Sequence, residues 1–386
     1  MADKWLHRLF LILLAAGLAA GLVRTALFPK EINAYENRYA VTLPALSLSG
    51  FLDGEYQDGV DGALADQIPF AQRCKRYYNR AVALGFQASV RLLSDLMEGR
   101  YLSYDGCRLF GDHLTYNTSV LSGVVYLLDP WAESWNARFA AHPETEFYVF
   151  YIEKDTDIDF ETGEKAGVRE YVLDALALPE DRKGAFVINS YRDFAESFYR
   201  TDHHWNYEGS WRGYLQIRKL LGVTEAPAKR GEAVTLGTMS GSKAIGSASE
   251  FREEFSAAPY ALPPMDVTLN GRPAEDYGNQ DAFFSGAMQD PNYSAFYGMD
   301  TGELILDTGT EGRGRLLVLG ESFDNAIIKP LASHFDRTYS VDLRYYSYLM
   351  GRQFRLSDYL RDNGIDRVLL MGNADFFLSP EFCPED

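Results

Sequence analysis

Residues 317–325 have the sequence LVLGESFDN, an apolar run that stops at Gly320 and then turns polar. A short apolar run bounded by glycine is typical of a buried strand, and Ser322 then lies on the turn that enters a predicted helix. In an open parallel sheet, ligands bind beyond the carboxyl ends of the strands, so this turn is a useful place for a nucleophile. Ser and Asp at a helix start are also ordinary N-caps. The stretch alone therefore leaves both a catalytic and a capping role open for Ser322.

The same alternation of strand and helix recurs on both sides of this stretch. Short apolar or β-branched runs predict strands at residues 147–152, 185–188, 315–319, 338–341 and 368–371. Apolar periodicity predicts helices at residues 208–221, 325–334 and 356–363. Strands that alternate with helices predict an α/β fold, with a mostly parallel sheet covered on both faces by helices.

Other segments depart from this alternation. Residues 225–310 are rich in Gly, Ser, Pro and Tyr and have little periodicity, which predicts a long insertion that lines the site, with a mobile excursion as the alternative. Residues 29–68 predict an extended lead, and residues 69 to about 97 suit an amphipathic helix. The predicted parts of the chain are therefore residues 1–28, residues 29–68, and an α/β domain over residues 69–386.

The first part contains residues 9–23, LFLILLAAGLAAGLV, without a charged side chain. As a helix this segment covers about 22 Å, against a hydrocarbon core of about 30 Å. Arg8 and Arg24 can snorkel to make up the difference, which favours an uncleaved single-pass membrane anchor. A cleaved signal peptide and a buried soluble helix are the alternatives. Under the first two hypotheses, the large remainder of the chain lies outside the cytoplasm, anchored to the cell membrane or secreted.

The composition argues against several classes of protein. Thirty-seven basic residues against 55 acidic ones give a formal net charge of −18. A surface this acidic repels phosphate backbones, which argues against a nucleic-acid partner. Three cysteines, Cys74, Cys107 and Cys383, fit neither a disulfide scaffold nor a zinc site with clustered ligands. No motif predicts a cofactor.

The second candidate segment is Tyr199-Arg200-Thr201-Asp202-His203-His204-Trp205-Asn206. In an extended segment, residues i and i+2 point to one face, so Asp202 can hold the imidazole of His204 and fix its tautomer. His203 would then point the other way. Two alternatives remain: residues that cap a helix or satisfy buried polar groups, and a metal site formed by Asp202 and the two histidines. Adjacent histidines do not easily chelate one ion, and we predict no metal.

Two further positions are weaker candidates. Asn373 follows the strand predicted to end near residue 371, where its amide could donate to an oxyanion; the alternative is a turn-forming asparagine. Trp205 could stack on a sugar ring and bind substrate, or it could simply wall the pocket.

Thr201-Asp202-His203-His204-Trp205 resembles the signature of the DHHW-protein family. That family is similar to the alginate O-acetylation proteins, which carry an SGNH-hydrolase-like domain. Other features resemble the same group: the apolar N-terminal segment, Glu36-Asn37-Arg38, Asp66-Gln67-Ile68-Pro69-Phe70, Asn292-Tyr293, Tyr297-Gly298 and Gly320-Glu321-Ser322-Phe323. Together they span most of the chain.

The resemblance implies an SGNH-hydrolase-like fold and a role for each site residue. Ser322 would be the nucleophile, His204 the general base and then acid, and Asp202 the residue that orients His204. A polysaccharide acceptor and a membrane-bound O-acyltransferase partner are also implied. Two features differ from the family pattern: Gly320-Glu321-Ser322 stands where Gly-Asp-Ser is usual, and the chain has no convincing Gly-x-Asn-Asp block.

The resulting expectation is an extracytoplasmic, serine-dependent O-acetyltransferase that acts on cell-surface polysaccharide through an acyl-enzyme. A carbohydrate O-acetylesterase of the same fold is one alternative, since the sequence does not choose between water and a sugar hydroxyl as acceptor. The other is a non-catalytic protein that binds polysaccharide or scaffolds an acyltransferase complex.

Overall fold

A computed structural model describes residues 27–33, 38–68, 107–116, 128–246, 251–379 and 382–383, with scattered positions within residues 5–24 and 73–81. The chain divides into two compact units, residues 1–96 with 248–250 and residues 97–247 with 251–386. Most of the helix predicted over residues 69–97 lies outside the described residues. Among the residues that are described, no helix has the length and apolar character needed to cross a membrane. The predicted anchor lies partly outside them and stays a prediction.

The described part of the first unit includes a short hairpin and two helices. These elements are β1 (Ile32–Asn33), β2 (Arg38–Tyr39), α1 (Leu48–Leu52) and α2 (Glu55–Gln67). The Asp66 carboxylate at the end of α2 accepts hydrogen bonds from Asn33 Nδ2 (2.9 Å) and from the Val41 amide (2.8 Å). The extended lead predicted over residues 29–68 is therefore wrong in part, because buried side-chain bonds fold this segment back onto a helix.

The second unit is built on an eight-stranded sheet. The strands of this unit are β3 (Cys107–Phe110), β4 (His113–Tyr116), β5 (Glu146–Ile152), β6 (Lys183–Phe186), β7 (Lys229–Arg230), β8 (Val234–Met239), β9 (Glu253–Ala257), β10 (Tyr260–Ala261), β11 (Asp266–Leu269), β12 (Arg272–Ala274), β13 (Glu303–Asp307), β14 (Arg315–Leu319), β15 (Arg337–Val341) and β16 (Arg367–Gly372). The order in the large sheet is β12-β11-β13-β15-β14-β16-β5-β6. Strands β15, β14, β16, β5 and β6 run parallel, whereas β13, β11 and β12 pair antiparallel at one edge.

Helices cover both faces of this sheet. They are α3 (Leu128–Ala141), α4 (Val168–Ala175), α5 (Tyr191–Ser197), α6 (Tyr207–Leu220), α7 (Ser242–Gly246), α8 (Gln280–Phe284), α9 (Tyr293–Tyr297), α10 (Ile328–Ala332), α11 (Leu343–Met350), α12 (Leu356–Asn363) and α13 (Ala374–Leu378). In β14, Leu316 and Val318 pack into one hydrophobic core, and Leu317 and Leu319 pack into the other. The strand is buried on both faces, as in parallel sheets generally. The predicted α/β fold with a mostly parallel, helix-flanked sheet is confirmed.

The segment 225–310 is more regular than the sequence predicts. It forms the hairpin of β8 and β9, and it adds β11, β12 and β13 to the edge of the large sheet. Each of these strands has six residues or fewer, which is too short for the alternation of apolar and polar residues to be recognised in the sequence.

Candidate active site

Ser322 lies just beyond the carboxyl end of β14, which is hydrogen-bonded between β15 and β16. The turn that carries it is packed closely against its neighbours. A Cβ atom at Gly320 would lie 3.0 Å from the carboxylate of Asp324, and that buried carboxylate accepts a hydrogen bond from Ser340 Oγ (2.8 Å). Burial raises the pKa of Asp324 well above its ordinary value. The predicted helix over residues 325–334 is replaced by a 3-10 turn (Asp324–Ala326) followed by α10.

A continuous hydrogen-bonded chain joins Ser322 to His204 and Asp202. Ser322 Oγ lies 2.6 Å from His204 Nε2, and His204 Nδ1 lies 2.6 Å from Asp202 Oδ1. The serine and the histidine are 118 residues apart in sequence. Acid, base and hydroxyl thus stand in the order and at the distances that nucleophilic catalysis by a serine requires.

Asp202 is held in place and kept ionised. Its Oδ1 accepts the His204 amide (3.0 Å) and its Oδ2 accepts the Ser242 amide (2.8 Å). Burial alone would raise the pKa of Asp202, but the charge and hydrogen bond of His204 hold that pKa far below its ordinary value. A carboxylate with fixed orientation can therefore set the His204 tautomer and stabilise the imidazolium.

The segment that carries Asp202 and His204 is bent, not extended. Phe198 and Trp205 pair as an antiparallel bridge, and the Tyr199 amide donates to the His204 carbonyl (3.1 Å), which closes a tight loop. The expectation that His203 points away from His204 is therefore wrong. The two imidazole rings lie against each other, with centroids 3.8 Å apart.

Residues of the segment 225–310 hold this loop in place through hydrogen bonds and close packing. Glu253 on β9 accepts the backbone amides of Arg200 (2.8 Å) and Thr201 (2.7 Å) and the Thr201 hydroxyl (2.6 Å). Gly241 approaches so closely that a Cβ there would lie 2.4 Å from the Asp202 side chain, which only glycine avoids. The Asp202 loop is thus held by residues 39 to 53 positions away in the chain.

Tyr293 on α9 contacts both the base and the nucleophile. Its ring stacks on His204, with centroids 3.7 Å apart and planes 3° from parallel, and its hydroxyl donates to the Ser322 carbonyl (2.8 Å). The sequence analysis assigned no role to this residue. The signal was the Asn292-Tyr293 pair in the family resemblance, and Asn292 now proves to be the N-cap of α9, accepting the Ala295 amide.

Glu321, the residue before Ser322, binds Asn373. Glu321 Oε1 accepts both the Asn373 amide (3.1 Å) and Asn373 Nδ2 (2.6 Å), while Asn373 Oδ1 caps α13 through the Asp375 amide (2.8 Å). Burial raises the pKa of Glu321, against the lowering effect of Arg344 and Lys154. The turn-forming role of Asn373 is therefore present, and its role as an oxyanion donor stays a prediction.

Trp205 does not lie where a sugar could reach it. The side chain has no exposed surface and packs against Phe186 and Phe323, with ring centroids 5.9 and 5.4 Å away. Gly213 on α6 makes room for the ring, since a Cβ there would lie 2.4 Å from it. The structure therefore contradicts substrate contact by Trp205 and makes it part of the core.

Asp202, His203 and His204 each offer a ligand atom within 4.8 Å of the others. Adjacent histidines thus converge here after all, because the loop is bent. Both nitrogens of His204 are already hydrogen-bonded, to Asp202 and to Ser322. A cation bound through His204 would displace one of these partners, so metal binding competes with the serine chain.

The sequence matches no protein-family model and no curated protein. Among solved structures, Bacillus cereus PatB1 with a sulfonyl adduct is similar, with a TM-score of 0.55 and 18% identity over 72% of this chain and 98% of that one. A DHHW family protein from Eubacterium siraeum has a TM-score of 0.50 and 16% identity, over 73% of this chain and 95% of that protein. The O-acetyltransferase domain of Pseudomonas putida AlgJ has a TM-score of 0.39 and 10% identity, over 73% of this chain and 94% of that domain. At these identities the likeness is one of fold, and the predicted resemblance to the DHHW-protein family is confirmed as a structural similarity.

Proposed function

We propose that this chain is a serine-dependent O-acetyltransferase that acts on cell-surface polysaccharide through an acyl-enzyme. The observation that carries the proposal is the unbroken chain from Asp202 through His204 to Ser322, with both links at 2.6 Å. Its position beyond the carboxyl end of a central parallel strand supports the same conclusion, because ligands bind there in such sheets.

In the first half of the reaction, Ser322 Oγ attacks the carbonyl carbon of an acetyl ester. His204 Nε2 takes the hydroxyl proton while Asp202 holds Nδ1–H, and the leaving group departs with the proton from His204. The Nδ2 group of Asn373 has two hydrogens, of which the Glu321 carboxylate takes one. The other is our proposed donor to the oxyanion, together with backbone amides of the serine turn.

In the second half, a sugar hydroxyl attacks the acetyl-serine. The new C–O bond forms as the bond to Ser322 Oγ breaks, and the sugar proton passes through His204 to Ser322. We propose a sugar as acceptor because the sequence resembles the alginate O-acetylation proteins; with water as acceptor, the same residues give an esterase. The apolar segment at residues 9–23 supports an extracytoplasmic location. The proposed source of acyl groups is a membrane-bound O-acyltransferase, the partner that the resemblance implies.

The test compares the full-length chain with Ser322→Ala in acetyl release and in covalent labelling. Release of p-nitrophenol from its acetate ester is measured with and without oligosaccharide. The mass of the oligosaccharide is then measured by mass spectrometry to detect an added acetyl group. Ser322→Ala should lower turnover by at least about 10³-fold, because the nucleophile is lost. A sulfonyl fluoride should label Ser322 in the wild type and leave the variant unlabelled.

Ser357→Ala is the matched control. Ser357 Oγ also lies within hydrogen-bond distance of a histidine, 3.0 Å from His142 Nε2. Turnover and labelling should remain at the wild-type level in this variant. Labelling or turnover that survives in Ser322→Ala would refute the acyl-enzyme, whereas serine-dependent release without a mass gain on any oligosaccharide would favour the esterase.

A further inference from the structure

His203 is the residue of the Asp202–His204 loop that the mechanism above leaves unused. Its Nδ1 is hydrogen-bonded to Ser242 Oγ (2.6 Å) and lies 3.8 Å from Asp202 Oδ1, the oxygen that also binds His204 Nδ1. Both imidazoles therefore direct Nδ1 toward the same carboxylate. The ring of His203 is held on that side, while its second nitrogen points away.

That second nitrogen, Nε2, is the part of the ring that remains open. His203 Nε2 has no hydrogen-bond partner among the described residues and is not one of their buried polar atoms. The His203 side chain is 28% exposed, whereas that of His204 is 6% exposed. Phe323, the residue after Ser322, has its ring centroid 6.2 Å from His203 and 5.1 Å from His204. The ring of His203 lies 3.8 Å from that of His204, whose Nε2 is hydrogen-bonded to Ser322 Oγ, so the open edge of His203 lies beside the base that activates the nucleophile.

The surroundings make His203 a neutral and rigid hydrogen-bonding group. Partial burial and the charge of His204 lower the pKa of His203 below its ordinary value, which favours the neutral ring at neutral pH. Ser242, its partner, is followed by Lys243, which forms a fully buried ion pair with Asp155 (2.7 Å). The loop on which His203 depends is therefore fixed to the end of β5.

We propose that His203 is an acceptor-binding residue whose Nε2 hydrogen-bonds the sugar hydroxyl next to the one that attacks the acyl-enzyme. His204 receives the proton of the attacking hydroxyl, and His203 beside it holds the neighbouring hydroxyl. The two neighbouring imidazoles would then select acceptors with two adjacent hydroxyls. This inference rests on the proposed function, since it needs an acetyl-serine that a hydroxyl can attack.

The test measures transfer of acetyl from p-nitrophenyl acetate to cyclohexane-1,2-diol and to cyclohexanol, each divided by the p-nitrophenol release of the same protein. We expect the wild type to prefer the diol. In His203→Asn, whose amide reaches only the Nδ1 position, this preference should fall about tenfold, the effect of one lost hydrogen bond in a site built for it. His203→Gln, whose amide reaches the Nε2 position, should restore most of it. His142→Asn, at the other histidine–serine pair, should keep the wild-type preference.

Three outcomes would overturn the inference. The first is a wild type that does not prefer the diol, and the second is an unchanged preference in His203→Asn. The third is an equal loss of transfer to both alcohols, which would mean that His203 acts only through His204. The absence of any Ser322-dependent release from the wild type would instead refute the proposed function itself, and the inference with it.

Discussion

Two serine–histidine–carboxylate arrangements among the described residues lie at opposite ends of the parallel strands. Asp202, His204 and Ser322 lie beyond the carboxyl end of β14, whereas Glu144, His142 and Ser357 precede β5 and β16. The second set also has its histidine between an acid and a serine, with His142 Nδ1 at 3.6 Å from Glu144 and Nε2 at 3.0 Å from Ser357. The same three chemical groups therefore meet at both ends of the strands.

The difference lies in how the carboxylate is held. The side chain of Glu144 is 72% exposed, and its distance to His142 is beyond a normal hydrogen bond. The side chain of Asp202 is 7% exposed, 2.6 Å from His204, and accepts two backbone amides. Only a buried and oriented acid can fix a histidine tautomer, because water screens and reorients an exposed one. Burial and backbone donors thus distinguish a site from a chance assembly of the same residues.

Removal of the charge on Asp202 should separate the two arrangements most clearly. Asp202→Asn keeps the shape of the side chain but no longer stabilises the imidazolium or enforces the productive tautomer of His204. Turnover of p-nitrophenyl acetate should fall on the order of 10³-fold or more. Glu144→Gln, the matched change at the other arrangement, should stay within about twofold of wild type. Similar turnover in both variants would mean that the held carboxylate has no special role.

Tyr293 offers a finer test of how the base is oriented. Tyr293→Phe keeps the ring on His204 and loses the hydrogen bond to the Ser322 carbonyl, which should lower kcat about fivefold. Tyr293→Leu also loses the stacked ring, and the total effect should be about 30-fold. Tyr348→Phe, at an exposed tyrosine of α11, serves as the control and should have no effect. Equal activity of the Phe and Leu variants would show that stacking on His204 contributes nothing.

The sequence predicted the regular half of this site well. Strands β14 and β16 are buried on both faces, so they appear in the sequence as uninterrupted apolar runs whose ends point to Ser322 and Asn373. Asp202 and His204 were paired correctly because they are close in sequence and few residue types can act as acid and base. These inferences needed only local patterns.

The orientation of the base could not be predicted in the same way. Glu253 accepts a hydrogen bond from the Thr201 amide, 52 residues away in the chain, and no sequence pattern around either residue predicts this contact. The side on which His203 lies depends on the bridge between Phe198 and Trp205, which turns an apparently extended segment into a loop. The sequence left two roles open for Trp205 for a related reason, since an aromatic side chain has the same sequence signal in a core as on a sugar-binding surface.

The smallest expected effect is on stability, at Glu321, which stands before Ser322 where Gly-Asp-Ser is the usual pattern of the proteins that the sequence resembles. Burial raises the pKa of Glu321 above 4.5 in the folded protein, so folding disfavours its charged form. Below pH 4.5 the carboxyl is neutral in both the folded and the unfolded state, so it does not affect the free energy of unfolding. Between pH 4.5 and the higher pKa of the folded state, the carboxyl ionises only in the unfolded state. The protein therefore loses stability as the pH rises through this interval. Glu321→Gln keeps an oxygen for Asn373 and removes this cost. Its Tm at pH 7 should exceed that of wild type by about 2–4 °C, and the difference should vanish near pH 4.

The control for this measurement is Glu311→Gln, at an exposed position, which should leave the Tm unchanged at both pH values. A Glu321→Gln variant that is less stable than wild type at pH 7 would contradict the expectation. It would mean that attraction of the carboxylate to Lys154 and Arg344 outweighs the cost of burying it. Glu321 would then be a structural anion between two cations, and the longer acid before Ser322 would be explained by the reach it needs to lie between them.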